Sequence, residues 1–355
     1  MQLQSTIRLG VHGFFKALAP LFLDANLALS CNFYVARFPR RLTVSNCIGR
    51  RARSCLPIHM KQADRPVQDG SDEKLRERSD LEDGSIRGSR VIYRVASWNV
   101  QSPRARKAEA WQTRRSKVLK QLISANADIV ALQEALPRHP EDSLDSALEE
   151  FGYSPVHRTP TDEGIEPPVM YIRKSAFEIV WEDCHKRTVG VVLRPRNSPD
   201  KLISVLNVHL MGDPQQGDIR ILQLRKPLRR IGTQMGPQYA KAHTFIVGDF
   251  NEAPGEGVLY DLLTTGSPPD GREMPSRVKA WEPWTFVDAY SALLGGDAPA
   301  TWPLPVPFRR IDFLLVPCGV TCLGVRKPSI RDTLAGFNSP SDHLLITADF
   351  VLDST

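Results

Sequence analysis

Six times between residues 91 and 351, an apolar run of strand length meets an acid, an amide or a histidine. The places are Trp98-Asn99, Gln133-Glu134, Asn207-Val208-His209, Gly248-Asp249-Phe250-Asn251, Ile311-Asp312 and Ser341-Asp342-His343. One Asp after a strand is more often a turn or a cap than a functional group. Six together would demand six unrelated caps, each spent at the end of an apolar strand. Strand ends of a rigid sheet are where side chains can be held accurately enough for chemistry.

The segments between these points alternate in type. VIYRVASWNV, DIVALQEA, VMYIRKS, FEIVWED, VGVVLR, KLISVLNVHLM, HTFIVGDFN, RRIDFLLV and LLITADFV read as strands. Residues 108–125 place Trp111, Val118, Leu119, Leu122 and Ile123 at near-helical spacing, and residues 217–235 do the same with Ile221, Leu222, Leu224, Leu228 and Ile231. Residues 143–151 and EGVLYDLLTTG, closed by Gly266, read as shorter helices. Many strands joined directly, with few helices between, argue against a purely parallel doubly wound sheet. Two packed mixed β-sheets with helices outside fit better, and runs such as HTFIVG suggest strands covered on both faces.

The charge is uneven. Residues 1–90 hold 15 Lys/Arg against 9 Asp/Glu, whereas residues 91–355 hold 31 of each. The basic excess therefore says nothing of nucleic-acid binding by the second region. Residues 1–62 carry Asp24 as their lone acid among nine basic residues, the composition of an organelle transit peptide. A plain tail or an upstream mis-start, with Met60 as a later start, is an equal reading. The expected location is a mitochondrion or other organelle in the first case and the cytoplasm otherwise. Residues 63–90 read as a charged, solvated linker, and the folded domain is expected over 91–355. No run of 18 apolar residues suggests a membrane span. The six cysteines form no zinc-like array and are expected to be free thiols.

Acids and amides are hard oxygen donors that suit Mg²⁺ or Mn²⁺. Histidines beside carboxylates suit proton transfer or stabilisation of charge on a phosphate. No GxSxG elbow and no GxxxxGK[ST] loop points to a serine hydrolase or a nucleotide-triphosphate motor.

The ordered strings WNV, LQEA, NVHL, GDFNEAP, RIDFLLV and SDHLLITADF resemble the endonuclease/exonuclease/phosphatase superfamily. GDFNxxP followed far downstream by SDH is the specific part. The resemblance implies a four-layer α/β sandwich and a Mg²⁺-dependent phosphoester hydrolase, with Mn²⁺ as an alternative ion. It further implies that Asn99, Glu134 and Asp342 serve the metal, that Asp249 orients or deprotonates water, and that Asn251 holds a phosphate oxygen. His343 would face the phosphate, Asp312 would orient it, and His209 would act as a general acid or phosphate donor. Alternation along the strand puts Asn207 on the face of His209, so Asn207 is a candidate substrate contact. Arg173, with Lys174, is a candidate phosphate contact at the end of VMYI. Arg220 and Gln223 are candidate supports of the site.

His209 argues against the AP endonuclease group, which has a tyrosine there. FIVGDFNEAPGEGVLYDLLTTG and FVDAYSALL resemble the nocturnin and deadenylase group, although SWNVQSP departs from its usual opening. No leucine-rich repeat precedes the domain, which speaks against a subunit of the large deadenylase complex. The expected substrate is thus RNA or a nucleotide, cleaved by a 3′–5′ exonuclease or phosphodiesterase. The alternatives are a small-molecule phosphatase or phosphodiesterase, and a non-catalytic binding relative. No protein partner can be inferred.

Overall fold

The computed structural model describes residues 91–101, 111–135, 143–157, 167–278, 281, 284–304, 306–318, 320–327 and 339–352. The expected transit peptide and linker lie outside these residues.

β-Branched and aromatic residues dominate the strands, and their alternation sorts the chain into layers. In order, the elements are β1 (Ile92–Asn99), α1 (Trp111–Ala125), β2 (Ile129–Gln133), α2 (Asp145–Glu150), β3 (Tyr153–His157), β4 (Val169–Arg173), β5 (Phe177–Cys184), β6 (Thr188–Pro195) and β7 (Ile203–His209). Next come α3 (Gly217–Met235), α4 (Pro237–His243), β8 (Thr244–Asp249), α5 (Leu259–Thr265), β9 (Phe286–Asp288), α6 (Ala289–Leu294), β10 (Asp312–Pro317), β11 (Val320–Val325) and β12 (Ile346–Leu352). Among the described residues these strands form two six-stranded sheets, ordered β11-β12-β1-β2-β4-β3 and β5-β6-β7-β8-β10-β9. Both are mixed: β1–β2 and β7–β8 are parallel, and their other neighbours are antiparallel.

Three apolar clusters show the layering. Tyr93, Val95, Ile129, Met170, Val191, Val205, Phe245, Val247, Leu314 and Phe350 pack between the sheets. Trp98, Val130, Leu132 and Tyr171 meet Val118 and Leu122 of α1 and Leu148 of α2. Leu206, Val208, Ile246 and Phe313 meet Ile221, Leu224, Leu228 and Ile231 of α3 and Leu262 of α5. The molecule is therefore the expected four-layer sandwich.

Strand β3 escaped the sequence reading because Pro155 interrupts it. It sits at the edge of its sheet, pairing with β4 alone, where a missing N–H costs no ladder bond. No helix among the described residues is long and apolar enough to cross a membrane.

Candidate active site

Parallel pairing carries strand ends to one place. Asn99 pairs with Gln133 at the ends of β1 and β2, just before Glu134. His209 pairs with Asp249 at the ends of β7 and β8. β10 runs antiparallel to β8, so Asp312 opens its strand rather than ending it and lies opposite Asp249. The two sheets thus present Asn99, Glu134 and His343 from one side and His209, Asp249 and Asp312 from the other.

The contacts are close. Asn99 Nδ2 donates to Glu134 Oε1 at 3.1 Å and to Asp249 Oδ2 at 3.0 Å. Its oxygen, the atom a metal would need, instead accepts from Gln101 N at 3.0 Å. Asn99 thus bridges two carboxylates through its Nδ2, and one lone pair of its oxygen remains beside the bond from Gln101. His209 Nε2 lies 3.7 Å from Glu134 Oε1 and 3.9 Å from Asp249 Oδ2. Asp249 Oδ1 accepts from Asn251 N at 2.8 Å, and Asn251 Nδ2 donates to Leu210 O at 3.0 Å.

His343 Nδ1 donates to Asp312 Oδ2 at 3.0 Å, while its Nε2 stands 4.0 Å from Asp249 Oδ2. Around this pair, Ser341 Oγ accepts from His343 N and donates to Asn99 O, and Trp98 Nε1 donates to His343 O. Thr301 Oγ1 accepts from Asp312 N at 3.2 Å. β10 and β12 belong to different sheets, so the Asp312–His343 contact spans the gap between them.

Backbone strain collects here. Glu134, Asn251 and Gln101 have φ of 57°, 54° and 57°, in the left-handed region that non-glycine residues seldom occupy. Gly248 lies at φ 130°, and a Cβ there would meet Val208 O at 2.1 Å. Only glycine lets β8 come this close to β7.

Electrostatics divide the groups. Burial works against a charge on His343, but Asp312, Asp249 and Asp342 outweigh it and push its pKa up to about 9. Burial lowers the pKa of His209 despite Asp249 and Glu134, which leaves it neutral near pH 7. Burial and then Asp312 raise the pKa of Asp249. A buried carboxylate facing another carboxylate calls for a cation. Ligand atoms of Asp249, Asp312 and His343 lie within 4.8 Å of one another; with His343 charged, the two carboxylates are the donors of that set, and Glu134 adds an oxygen on the open side, its side chain 26% exposed. This set of mostly hard donors fits a divalent cation.

Two expected residues lie elsewhere. Asn207 is fully buried between the sheets. Its Nδ2 donates to Leu132 O at 3.0 Å and Val169 O at 2.9 Å, and its oxygen accepts from Gln133 Nε2 at 2.7 Å. Both of its N–H donors are used, and its side chain reaches no solvent. Arg173 is at the far end of the first sheet, because β4 runs antiparallel to β2. There it bonds Asp128, Asn126 and Tyr153 Oη.

Asp342, expected at the metal, accepts from Trp302 Nε1 at 3.2 Å and stands outside the Asp249–Asp312–His343 set. Arg220 and Gln223 do support the site's loops. Arg220 pairs with buried Glu252 at 2.8 Å and donates to Met211 O and Asp213 O, and Gln223 accepts from Met211 N. Missed in the sequence was Trp302, whose ring lies 6.1 Å from His343 and 6.3 Å from Phe308. Phe308 is 71% exposed and Val306 75%. The crowding of proline and aromatic residues in TWPLPVPF was the available signal.

A profile of the Endonuclease/Exonuclease/phosphatase family matches residues 96–343. Human 2′,5′-phosphodiesterase 12 is 28% identical over 193 residues, covering 45% of this chain and 31% of that protein. The chain thus spans about a third of the length of that relative. Among solved structures, ANGEL2, a 2′,3′-cyclic phosphatase in complex with adenosine-2′,3′-vanadate, superposes with a TM-score of 0.61 at 20% identity, over 75% of this chain and 97% of that one. The human nocturnin catalytic domain gives 0.57 at 19% identity, over 74% and 98%. With the matched profile spanning every strand end described above, the chain belongs to the endonuclease/exonuclease/phosphatase family.

Proposed function

We propose that this chain is a Mg²⁺- or Mn²⁺-dependent phosphodiesterase acting on RNA or a nucleotide, as a 3′–5′ exonuclease or a related diesterase. The observation that carries the reading is His343, held by Asp312 and charged up to about pH 9, beside a carboxylate cluster that suits a divalent ion. Glu134, with Asp249 behind it, would hold the ion, which would supply Lewis-acid stabilisation of a phosphoryl oxygen.

The chain's own groups supply the rest. Asp249, fixed by Asn99 Nδ2 and Asn251 N, orients the attacking water, and its raised pKa suits it to take the proton. The His343 imidazolium donates from Nε2 to the phosphoryl oxygen where negative charge grows. His209, kept neutral, lies beside Glu134 and Asp249 for proton transfer near the leaving group.

Half-buried Trp302 beside His343, with exposed Phe308 against it, favours a substrate carrying a base, since aromatic rings stack on bases of any sequence. The similar proteins, a 2′,5′-phosphodiesterase and a 2′,3′-cyclic phosphatase, support a nucleotide ester. The balance of 31 basic and 31 acidic residues over 91–355 favours a short strand or a small phosphoester over a long polyanion. The test is hydrolysis of oligoadenylate, abasic duplex, dinucleotide phosphates and inositol phosphates, with and without Mg²⁺. Turnover of oligoadenylate or a dinucleotide supports the proposal; turnover of inositol phosphates alone overturns the nucleotide reading.

A further inference from the structure

Arg187 sits in the turn between β5 and β6, one residue before β6 begins. Its carbonyl accepts from His209 N at 2.9 Å, which ties its backbone to the strand end that carries His209. Its side chain is half-buried and lies in the field of Glu134, Asp249 and His209. It makes no side-chain hydrogen bond and no ion pair with any described residue. Burial pulls its pKa down while Glu134 and Asp249 pull it up.

Other arginines near the strand ends have partners. Arg220 pairs with Glu252, Arg309 with Glu256 and Arg310 with Asp288. A guanidinium withdrawn from water without a partner is costly to keep. It also keeps all its donors for a ligand, in a fork that matches phosphate geometry.

The charge at the site points the same way. Glu134, Asp249, Asp312 and Asp342 carry four formal negative charges, against the positive His343. A divalent ion leaves that set one charge negative, which repels a phosphodiester. Arg187 brings it to neutrality.

We infer that Arg187 is a substrate-binding residue, whose guanidinium takes a non-bridging oxygen of the substrate phosphate from the His209 side, opposite His343. The inference rests on the phosphoester reading of the site. It assigns Arg187 to ground-state binding more than to the chemical step.

The experiment compares the full chain with R187A, R187Q and R187K. The Arg187 side chain bonds no described residue, so these variants break no hydrogen bond among them; R187A removes the half-buried stem, and R187Q, which retains most of the length, controls for that loss. One arm measures kcat and KM on oligoadenylate with saturating Mg²⁺. The other measures sulfate binding by calorimetry at fixed ionic strength, which requires no turnover. R187A and R187Q are expected to raise KM and weaken sulfate about 10- to 100-fold, the range for a hydrogen bond to a charged group. kcat should stay within about fivefold, and R187K should recover part of the loss.

Mg²⁺ affinity, read by calorimetry, should stay level or tighten, because a cation has left the carboxylates. Unchanged sulfate affinity in R187A and R187Q overturns the inference, as does a loss confined to kcat. If the wild type hydrolyses no phosphoester, the functional reading fails by itself. The sulfate arm then still decides whether Arg187 holds an anion.

Discussion

Asp312 Oδ2 and His343 Nδ1 meet at 3.0 Å across the gap between the two sheets. Because each comes from a different sheet, the charged imidazole is a product of the sandwich and not of either layer. His343→Ala should lower kcat on the order of 100- to 1000-fold, the cost of removing a preorganised donor. Asp312→Asn should lose somewhat less. Both act through one imidazole, so the double mutant should fall well short of the product of the single losses. Steady-state kinetics in a double-mutant cycle check this, and additive losses would separate the two roles.

The same pair predicts a pH dependence of stability. The folded pKa of His343 is raised from the ordinary 6.5 to about 9. A raised folded pKa stabilises most below the unfolded value and loses its contribution as pH rises through the folded one. In metal-free protein, wild type should exceed His343→Asn in stability by a constant margin below about pH 6.5. That margin should shrink between about 6.5 and 9. Denaturant melts across this range read it, and a margin that grows with pH contradicts the assignment.

Exhaustive chelation should abolish turnover, and Mg²⁺ or Mn²⁺ should restore it, since the donors are mainly carboxylates. Glu134→Gln should weaken Mg²⁺ binding at least tenfold by calorimetry. Full hydrolysis after EDTA dialysis would remove the metal from the account.

Asn207→Leu should destabilise the fold by about 1–3 kcal/mol, because Gln133 Nε2, Leu132 O and Val169 O each lose a hydrogen bond in the dry interior. KM should hardly move, since Asn207 faces no solvent. Equilibrium unfolding and kinetics on the same samples separate the two effects.

Arg173→Ala should leave kcat and KM within about twofold and lower stability, because its partners Asp128 and Tyr153 lie at the opposite end of the sheet. A tenfold rise in KM would return Arg173 to the substrate.

What the sequence revealed and concealed follows from strand geometry. Asn99, Glu134, His209 and Asp249 were legible because each closes an apolar run, and the parallel pairs β1–β2 and β7–β8 bring those ends together. Asp312 joined them from a strand start, which a one-dimensional pattern does not distinguish from an end. Arg173 followed the same pattern on an antiparallel strand and so reached the wrong end. Alternation correctly put Asn207 on the face of His209. Two residues of strand, about 7 Å, carry it from the rim to the dry space between sheets, and depth is not written in alternation. Arg187 was missed because it lies in a turn with no repeating neighbour to announce it.

The bond between Asn207 and Gln133 has a mechanical consequence. Apolar layers attract without direction, so Val205 and Val247 would pack against the opposite sheet nearly as well after a slide of an ångström. The amide pair has no such tolerance, since a slide would strand its donors where no water reaches. It acts as a registration pin one strand-turn below the chemistry, the depth at which slack between the layers would most disturb a hydrogen bond at the rim. The spacing of the two layers at the rim thus depends on a contact buried beneath it.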